Sequence, residues 1–269
     1  MKYILTNVLA ILFCVAPYHL ALAQELDLFA GNGLKNWVTA DGQPVDSPKW
    51  ELVEGVLHLT GGGGKDIFFR DWIGDFVLTF DWRISEKGNS GIKYRVQKYG
   101  NSWLGCEYQL QDDGTNPITK QSTASLYDVI EPSSARLPNP AGQWNTSRIV
   151  VIGNHVEHWL NGSIVVSTTA GSSDWLTRVN NSKFKPHPGW GQNPTGRLML
   201  QDHGNEVWFR NVKLTLFVNH DSCQSPEGIA QLCECCFGPN CRPRCDAFVL
   251  RQNKAPFQRV FASRRFLRR

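Results

Sequence analysis

One predicted strand presents three polar side chains on a single face, and only one of the three is a carboxylate. In the run GCEYQLQDDG, residues 105 to 114, side chains alternate between the faces of a strand, so Glu107, Gln109 and Gln111 share one side while Tyr108 and Leu110 take the other. Enzymes that cleave an ordinary glycosidic bond usually need two carboxylates, one as acid and one as base or nucleophile. A sugar-cleaving site on this strand would therefore need a substrate that is activated in another way.

Two further segments have one apolar and one polar face. In SGIKYRVQ the apolar side chains of Ile92, Tyr94 and Val96 alternate with polar ones, and in RLMLQDH those of Leu198 and Leu200 do the same. The polar faces hold Lys93, Arg95, Gln97, Gln201 and His203. This pattern is typical of a sheet that packs one face on a partner and lines a groove with the other, although a simple solvated surface gives the same alternation.

Period-two alternation bounded by Gly, Pro, Asn and Asp runs through the body of the chain, and no segment has a sustained helical period. Strands are predicted at Trp50 to Val53, Val56 to Thr60, Phe76 to Ile84, Ile92 to Gln97, Ile149 to Ile152 and Val207 to Phe217. Asn161-Gly162, between VEHWL and SIVVS, predicts a tight hairpin because both residues tolerate positive φ. Many short antiparallel strands predict an all-β sandwich of two packed sheets.

The N-terminus has the pattern of a secretory signal peptide. Lys2 precedes an apolar run from Ile4 to Val15, and small residues lead up to Ala23. Residues 1–23 are therefore predicted to be removed, and the protein is expected to be secreted or periplasmic. The run is too short for a membrane span, and the sequence predicts no transmembrane segment further along. Residues 24–218 are the predicted domain.

The C-terminal tail, residues 219–269, differs sharply in composition from the body. It holds six of the eight cysteines, and residues 242–269 carry nine Lys or Arg against one Asp. Because the whole chain has a formal charge of +4, the part before residue 242 sums to −4, so no nucleic acid is expected as a partner. Three disulfides, a zinc knuckle or a translated non-native frame each fit the tail, and the first and third stay open.

Seven blocks of sequence follow one another through the body. They are GNSGIKYR from Gly88 to Arg95, CEYQLQDDG from Cys106 to Gly114, SLYD from Ser125 to Asp128, GQWN from Gly142 to Asn145, HWLNG from His158 to Gly162, SKF from Ser182 to Phe184, and LQDHGNEVWFRNVKL from Leu200 to Leu214. In this order they resemble the signatures of the 3-keto-disaccharide hydrolase domain family. The resemblance implies a concanavalin-like jelly-roll sandwich of two antiparallel sheets with a concave sugar-binding groove. It also implies activity on glycosides already oxidised to a ketone at C3 of the sugar.

The chemistry implied by this resemblance needs only one carboxylate. Enzymes of the related glucanase fold carry Glu, Asp and Glu at alternate positions of one strand, where this chain has Glu107, Gln109 and Gln111. A 3-keto group acidifies the hydrogen on C2, so a single base can remove that proton, and the resulting enolate can expel the C1 substituent. Water then adds to give net hydrolysis, or the unsaturated product leaves, as in a lyase. The site needs one base, a group that holds the enolate oxygen, and a proton donor for the departing oxygen.

Named residues can be assigned to these roles. We expect Glu107 to be the catalytic base, with His203 as the alternative base or as the acid that protonates the leaving group, because histidine titrates nearest neutrality. Lys93 and Arg95 are expected to stabilise the enolate or to bind hydroxyls. The predicted substrate contacts are Asn89, Lys93, Arg95, Gln109, Tyr127, Gln201 and Trp103. An oxidised, 3-keto oligosaccharide or glycoside is the expected partner.

Structural roles compete with several of these assignments. Asn89 could cap the turn before its strand, and Tyr127 could be a core residue with a satisfied hydroxyl group. Trp103 and Trp190 lie in Gly-, Asn- and Pro-rich loops and are candidates for stacking on a sugar, whereas Trp82 lies in an apolar row and is expected in the core.

A divalent metal ion is left open as a cofactor. Asp112, Asp202 and Glu206, together with Glu107 and His203, supply oxygen and imidazole ligands that could converge on a cation. No compact ligand motif decides the matter.

Two other functions also stay open. A non-catalytic, lectin-like carbohydrate-binding module is a common use of such sandwiches. A two-carboxylate glucanase is disfavoured by Gln109 and Gln111.

Overall fold

The described part of the chain is built from two antiparallel β-sheets. This computed structural model describes residues 23–31, 33–114 and 116–217. The predicted signal segment, except for Ala23, and the Cys- and Arg-rich tail lie outside the described residues. Among the helices that are described, none has the length and apolar character needed to cross a bilayer.

Strands account for most of the regular structure in the described residues. They are β1 Ala23–Asp27, β2 Trp37–Val38, β3 Trp50–Val53, β4 Val56–Leu59, β5 Ile67–Phe69, β6 Phe76–Ile84, β7 Asn89–Tyr99, β8 Ser102–Gln111, β9 Asn145–Ile152, β10 His155–Leu160, β11 Ser163–Thr169, β12 Arg197–Leu200 and β13 Val207–Phe217. The helices are a short 3-10 helix, Gly33–Asn36, and α1, Ser173–Asn180.

The strands divide into a larger sheet of eight and a smaller sheet of five. The larger sheet has the order β11-β10-β9-β6-β13-β4-β3, and β1 pairs with the C-terminal half of β13. The smaller sheet has the order β2-β5-β12-β7-β8. The chain crosses repeatedly between the sheets, for instance from β4 to β5 and back to β6, as in a jelly roll. The predicted all-β jelly-roll sandwich of two antiparallel sheets is confirmed.

Burial along the strands follows the sequence pattern. Strand β6 buries every second side chain from Phe76 to Ile84, which includes Trp82 as expected. At the turn between β10 and β11, Asn161 and Gly162 have φ angles of 46° and 87°. Both are positive, as a two-residue hairpin turn of this type requires.

A polar network crosses the core between the two sheets. The Tyr94 Oη of β7 lies 2.9 Å from the His158 Nε2 of β10, and the His158 Nδ1 lies 3.0 Å from the carbonyl oxygen of Ala124. The Tyr108 Oη of β8 lies 2.8 Å from the Ser147 Oγ of β9. These contacts give buried polar groups their partners and join the sheets. They also hold Tyr94 and Tyr108 inward, so the residues that alternate with them face outward.

Helix α1 was not predicted by the sequence pattern. It has only eight residues, and its apolar contacts with the core come from Trp175 and Val179, one turn apart. The Ser172 Oγ accepts a hydrogen bond from the Trp175 amide at 3.2 Å and caps the N-terminus. Two inward side chains are too few to establish a helical period.

Trp190 packs beside this helix, and its assignment as a sugar-stacking residue is wrong. Its ring lies 4.0 Å from that of Phe184 and 5.8 Å from that of Trp175, between ring centroids, and is 1% exposed. A Gly- and Pro-rich loop can carry a core aromatic when the loop itself packs on the sandwich.

Burial of His158 is expected to make the stability of the fold depend on pH. Burial lowers the pKa of His158 from 6.5 to about 4, because the charged ring loses its hydration. Below pH 6.5 the unfolded chain therefore takes up a proton that the folded chain does not. This group alone should lower the free energy of unfolding by roughly 3 kcal/mol between pH 6.5 and pH 4, as measured by urea denaturation.

Two variants separate this effect from general acid sensitivity. His158→Gln removes the buried imidazole, and His187→Gln removes a partly exposed one that forms no ion pair among the described residues. We expect the first variant to flatten the pH dependence of stability in this range and the second to leave it unchanged. Equal slopes in both variants and the parent would contradict the role given to His158.

Candidate active site

The outer face of the smaller sheet carries a polar row on β7 and β8. Lys93 lies directly opposite Glu107 in the pairing of these strands, and Gly91 lies opposite Gln109. Cys106 and Tyr108, which alternate with Glu107, belong to the core between the sheets. The predicted strand parity is therefore confirmed for β8, and Glu107 points away from the core.

Glu107 is nonetheless almost completely buried, with 5% of its surface exposed. Its Oε2 lies 3.6 Å from the Nζ of Lys93, which forms its ion pair. Burial raises the pKa of Glu107, and the positive charges of Lys93 and Lys183 oppose that rise. A carboxylate held in this way is a stronger base than an exposed glutamate and still has a cation beside it.

Gly91 provides the space that the Glu107 side chain occupies. A Cβ atom at this position would lie 2.6 Å from Glu107 Oε1 and 3.0 Å from Glu107 Cγ. Real Cβ contacts are essentially never as short as the first of these distances. The absence of a side chain at position 91 therefore lets the carboxylate lie across β7 towards Lys93.

The amides beside Glu107 form part of the same row. The Gln109 Nε2 donates hydrogen bonds to Asn89 Oδ1 at 3.2 Å and to Gln111 Oε1 at 3.1 Å. The Oε1 atoms of Gln109 and Gln201 are buried, and no donor among the described residues reaches them. Buried acceptors normally have partners, so these two oxygens are suited to receive hydroxyl groups of a ligand.

One wall of the site is the segment of residues 124–128, which bonds to the open edge of β8. The Tyr127 amide donates to the carbonyl oxygen of Glu107 at 3.0 Å, and the Ala124 amide donates to that of Gln109 at 2.8 Å. The Lys183 amide donates to Asp128 Oδ2 at 2.7 Å, and the Lys183 Nζ lies 4.2 Å from the centre of the Tyr127 ring. Burial lowers the pKa of Lys183, against the pull of Glu107, and raises the pKa of Tyr127. The wall thus brings a second ammonium group and a phenol near the carboxylate.

The opposite wall is the turn after β12. Asp202 Oδ1 accepts a hydrogen bond from the Gly204 amide at 2.9 Å, and Asp202 Oδ2 accepts one from the Lys65 amide at 2.8 Å. This turn holds His203 exposed, close enough for its charge to act on both Glu107 and Asp66. Burial raises the pKa of Asp66, while the amide of Asp202, at 3.0 Å, and the charge of Lys93 oppose the rise.

Two residues of these walls, Lys183 and Asp66, were missed in the sequence analysis. Both lie in loops, where strand alternation gives no signal. Lys183 stands inside the SKF block that carries the family resemblance, and that block was the available clue. Asp66 follows the run GGGGK just before β5, and nothing in that run marks its side chain as directed to the site.

Arg95 does not join Lys93 on the outer face, so that expectation is wrong. The pairing of β7 with β8 shifts between Tyr94 and Gln97, where β7 has one residue more than its partner, and Arg95 has a φ angle of 51°. This bulge turns the 2% exposed Arg95 away from the row. Its guanidinium donates to the carbonyl oxygen of Gly191 at 2.9 Å and to that of Gly153. Arg95 therefore ties loops to the sheet.

Trp103 lies further along the same outer face, at the start of β8. Its ring is half-buried against Phe68, with 5.5 Å between the ring centroids, and packs on a small apolar cluster. That cluster consists of Val38, Phe68, Val96 and Met199 and is separate from the main core.

The metal candidates do not converge. Asp112 Oδ2 accepts the Lys87 amide at 2.8 Å, Asp202 caps its own turn, and Glu206 lies 3.3 Å from His58. Within residues 23–31, 33–114 and 116–217, no group of three or more His, Cys, Asp or Glu side chains is arranged to hold a metal ion. The described residues give no support for a site built from Asp112, Asp202 and Glu206.

A carboxylate, two ammonium groups and a row of amides on the face of a two-sheet sandwich are suited to a polyhydroxylated ligand. The chain belongs to the 3-keto-alpha-glucoside-1,2-lyase-like domain family, whose model matches residues 25–215. The family resemblance stated from the sequence blocks is confirmed.

Individual relatives agree with this family. A 3-keto-disaccharide hydrolase of Bacteroides thetaiotaomicron is 30% identical over an alignment that covers 70% of this chain and 77% of that protein. A crystal structure from Parabacteroides distasonis, described as a candidate glycosyl hydrolase, is 33% identical with a TM-score of 0.64 and covers 72% of this chain and 94% of its own. A second structure from that organism has 23% identity, a TM-score of 0.55 and coverage of 71% and 98%, and supports the fold alone. The family match, the curated relative and the first of these structures support a carbohydrate-active hydrolase.

Removal of Lys93 is expected to raise the pKa of Glu107 further. Burial raises the pKa of Glu107, and Lys93 is the charge that opposes this rise most strongly. Without that charge, as in Lys93→Gln, the pKa should rise further. A titration of the Glu107 carboxyl carbon by NMR would measure the change. Lys98→Gln, an exposed lysine on the same strand, is the control and should leave the pKa unchanged. An unchanged pKa in Lys93→Gln would show that the ion pair does not govern this carboxylate.

Proposed function

We propose that this protein is an exported enzyme that cleaves 3-keto-glycosides, including 3-keto-disaccharides, by elimination. Its membership of the family and its similarity to a 3-keto-disaccharide hydrolase support this substrate class. The signal-like pattern of residues 1–23 is the basis for export.

The observation that carries the proposal is the environment of Glu107. Its carboxylate is buried beside an ammonium group on the face that lies away from the core. Its row continues with the amides of Gln109 and Gln111, not with further carboxylates. Such a site has a base suited to a carbon acid and cations suited to an oxyanion.

The reaction begins when Glu107 removes the proton from C2 of the 3-keto sugar. The electrons of the broken C–H bond pass to the ketone oxygen, and the enolate is stabilised by Lys93 and Lys183. The enolate then reforms the ketone as the bond from C1 to the leaving oxygen breaks, and His203 gives a proton to that oxygen. Because Glu107 acts only when ionised, its raised pKa moves the rise of activity to a higher pH than an exposed glutamate would give.

The second half of the reaction decides between hydrolysis and a lyase outcome. The first half leaves a ketone conjugated with a double bond between C1 and C2. Addition of water to C1, with return of the proton to C2, yields the free 3-keto sugar and makes the net change a hydrolysis. Glu107, once its carboxyl proton has exchanged with solvent, can supply the proton that C2 takes up. Release of the unsaturated sugar before water adds would be a lyase reaction.

Replacement of Glu107 by Gln is expected to reduce turnover of a 3-keto-disaccharide by about 10²- to 10⁴-fold, the usual contribution of a positioned general base. Binding of the substrate, measured by calorimetry, should remain. Glu51→Gln, an exposed residue on β3, is the matched control and should keep full activity.

Two results would count against this mechanism. Cleavage of the unoxidised disaccharide by the parent enzyme would indicate an ordinary two-carboxylate glycosidase. Binding without any turnover of the 3-keto-disaccharide by the parent would favour the lectin-like module, since the amide row and Trp103 serve binding in either case.

Replacement of Gly91 by Ala tests the position of the base without changing its chemistry. The added Cβ would meet Glu107 Oε1 at 2.6 Å, so the carboxylate must rotate away. Turnover should fall by about 10²-fold, the scale expected for a displacement of about 1 Å, while the melting temperature changes little. In the control Gly74→Ala, the new Cβ meets Pro194 O at 3.5 Å, an ordinary contact. Full activity of Gly91→Ala would mean that Glu107 is not the group that must be positioned.

A further inference from the structure

A second set of polar and aromatic groups lies beyond the apolar cluster on the same outer face. Arg197, at the start of β12, is 6% exposed, and its Nε donates to the carbonyl oxygen of Phe69 at 3.0 Å. Its guanidinium carbon lies 4.9 Å from the centre of the Phe68 ring and 5.8 Å from that of Trp103. Stacking on these two rings holds the guanidinium group of Arg197 on the outer face of the sheet.

The guanidinium of Arg197 has no carboxylate in ion-pair contact among the described residues. Asp71 is the carboxylate whose charge acts on it. Burial lowers the pKa of Arg197, and the Asp71 charge opposes that shift. Burial raises the pKa of Asp71, and the charges of Arg70 and Arg197 oppose that rise. A buried cation and a half-buried carboxylate, close but not bonded, normally have other polar partners.

This set is continuous with the site around Glu107. Trp103 and Glu107 lie on the same face of β8, four residues apart, which is about 13 Å along a strand. Between them, the Val96 side chain of the apolar cluster covers Gly105, since a Cβ at Gly105 would lie 2.8 Å from Val96 Cγ2. Met199 of β12 pairs with Lys93 of β7, and Lys93 pairs in turn with Glu107 of β8. A disaccharide with its 3-keto unit at Glu107 would extend along this face towards Trp103.

We propose that Trp103, Arg197 and Asp71 form a subsite for the leaving-group unit, and that this unit is a neutral sugar. The inference rests on the proposed cleavage at Glu107. The ring of Trp103 offers an apolar surface for the C–H face of a sugar, Arg197 donates to its hydroxyl oxygens, and Asp71 accepts from its hydroxyl groups.

The same three residues disfavour other leaving groups. An apolar aglycone would cover Arg197 and Asp71 without giving them hydrogen bonds, which costs free energy. An acidic sugar could pair with Arg197 only by placing its carboxylate near the like charge of Asp71. A neutral sugar has donors and acceptors for both charges and a face for the tryptophan.

The test compares two substrates that differ only in the leaving group: 3-keto-trehalose and methyl 3-keto-glucoside. Trp103→Ala should lower kcat/KM for the disaccharide roughly tenfold, as expected for one lost aromatic contact. Its kcat/KM for the methyl glycoside should stay within about twofold of the parent. Arg197→Lys should act in the same direction. Trp144→Ala is the control, because Trp144 also carries stacked arginines but lies with Arg83 and Arg210 of the larger sheet.

A binding measurement keeps this inference separate from the proposed reaction. Calorimetry in the Glu107→Gln background compares the affinities for the two 3-keto compounds with and without Trp103→Ala. A preference for the disaccharide that Trp103→Ala abolishes supports the subsite, whether or not the parent enzyme turns the substrate over. Equal losses for both compounds, or no binding preference for the disaccharide, would overturn it. Absence of turnover by the parent alone would refute the reaction and leave this comparison valid.

Discussion

The pairing of Lys93 with Glu107 across β7 and β8 is the interaction on which the proposed function depends. It keeps a carboxylate ionisable in a place where burial favours its neutral form. An ion pair with 3.6 Å between nitrogen and oxygen is loose enough for the carboxylate to take up a proton and for the ammonium to turn to a developing oxyanion. Gly91 makes this arrangement possible by leaving the space that Glu107 fills.

The core and the covering segment hold this pair from two sides. Tyr94 and Tyr108 point inward to polar partners on the larger sheet, and this orientation directs Lys93 and Glu107 outward. The segment at the open edge of β8 bonds to the backbone of Glu107 and presents Tyr127. Because His158 bonds to Ala124 in that segment, the central polar network also supports a wall of the site. The stability of the fold and the geometry of the proposed site therefore depend on the same contacts.

The sequence predicted the parts of the site that lie on regular strands. Alternation placed Glu107, Lys93 and Gln109 on one face, and the structure agrees. Alternation failed at Arg95 because one additional residue in a strand turns the neighbouring side chains to the opposite face. No residue type in the sequence marks where such a bulge occurs. Lys183 and Asp66 reach the site from loops, and tertiary contacts decide where the side chains of a loop point. Trp190 and helix α1 were misjudged for the same reason, since a loop-like composition does not exclude packing.

Exchange of the C2 hydrogen of a 3-keto-glycoside with solvent tests the central claim most directly. In heavy water, the parent enzyme should place deuterium at C2 of the recovered 3-keto sugar, and substrate labelled with deuterium at C2 should react more slowly. Glu107→Gln should lose the exchange together with the cleavage. If the C2-deuterated substrate reacted as fast as the unlabelled one, and the original hydrogen also remained on C2, a mechanism in which Glu107 removes that proton would be contradicted.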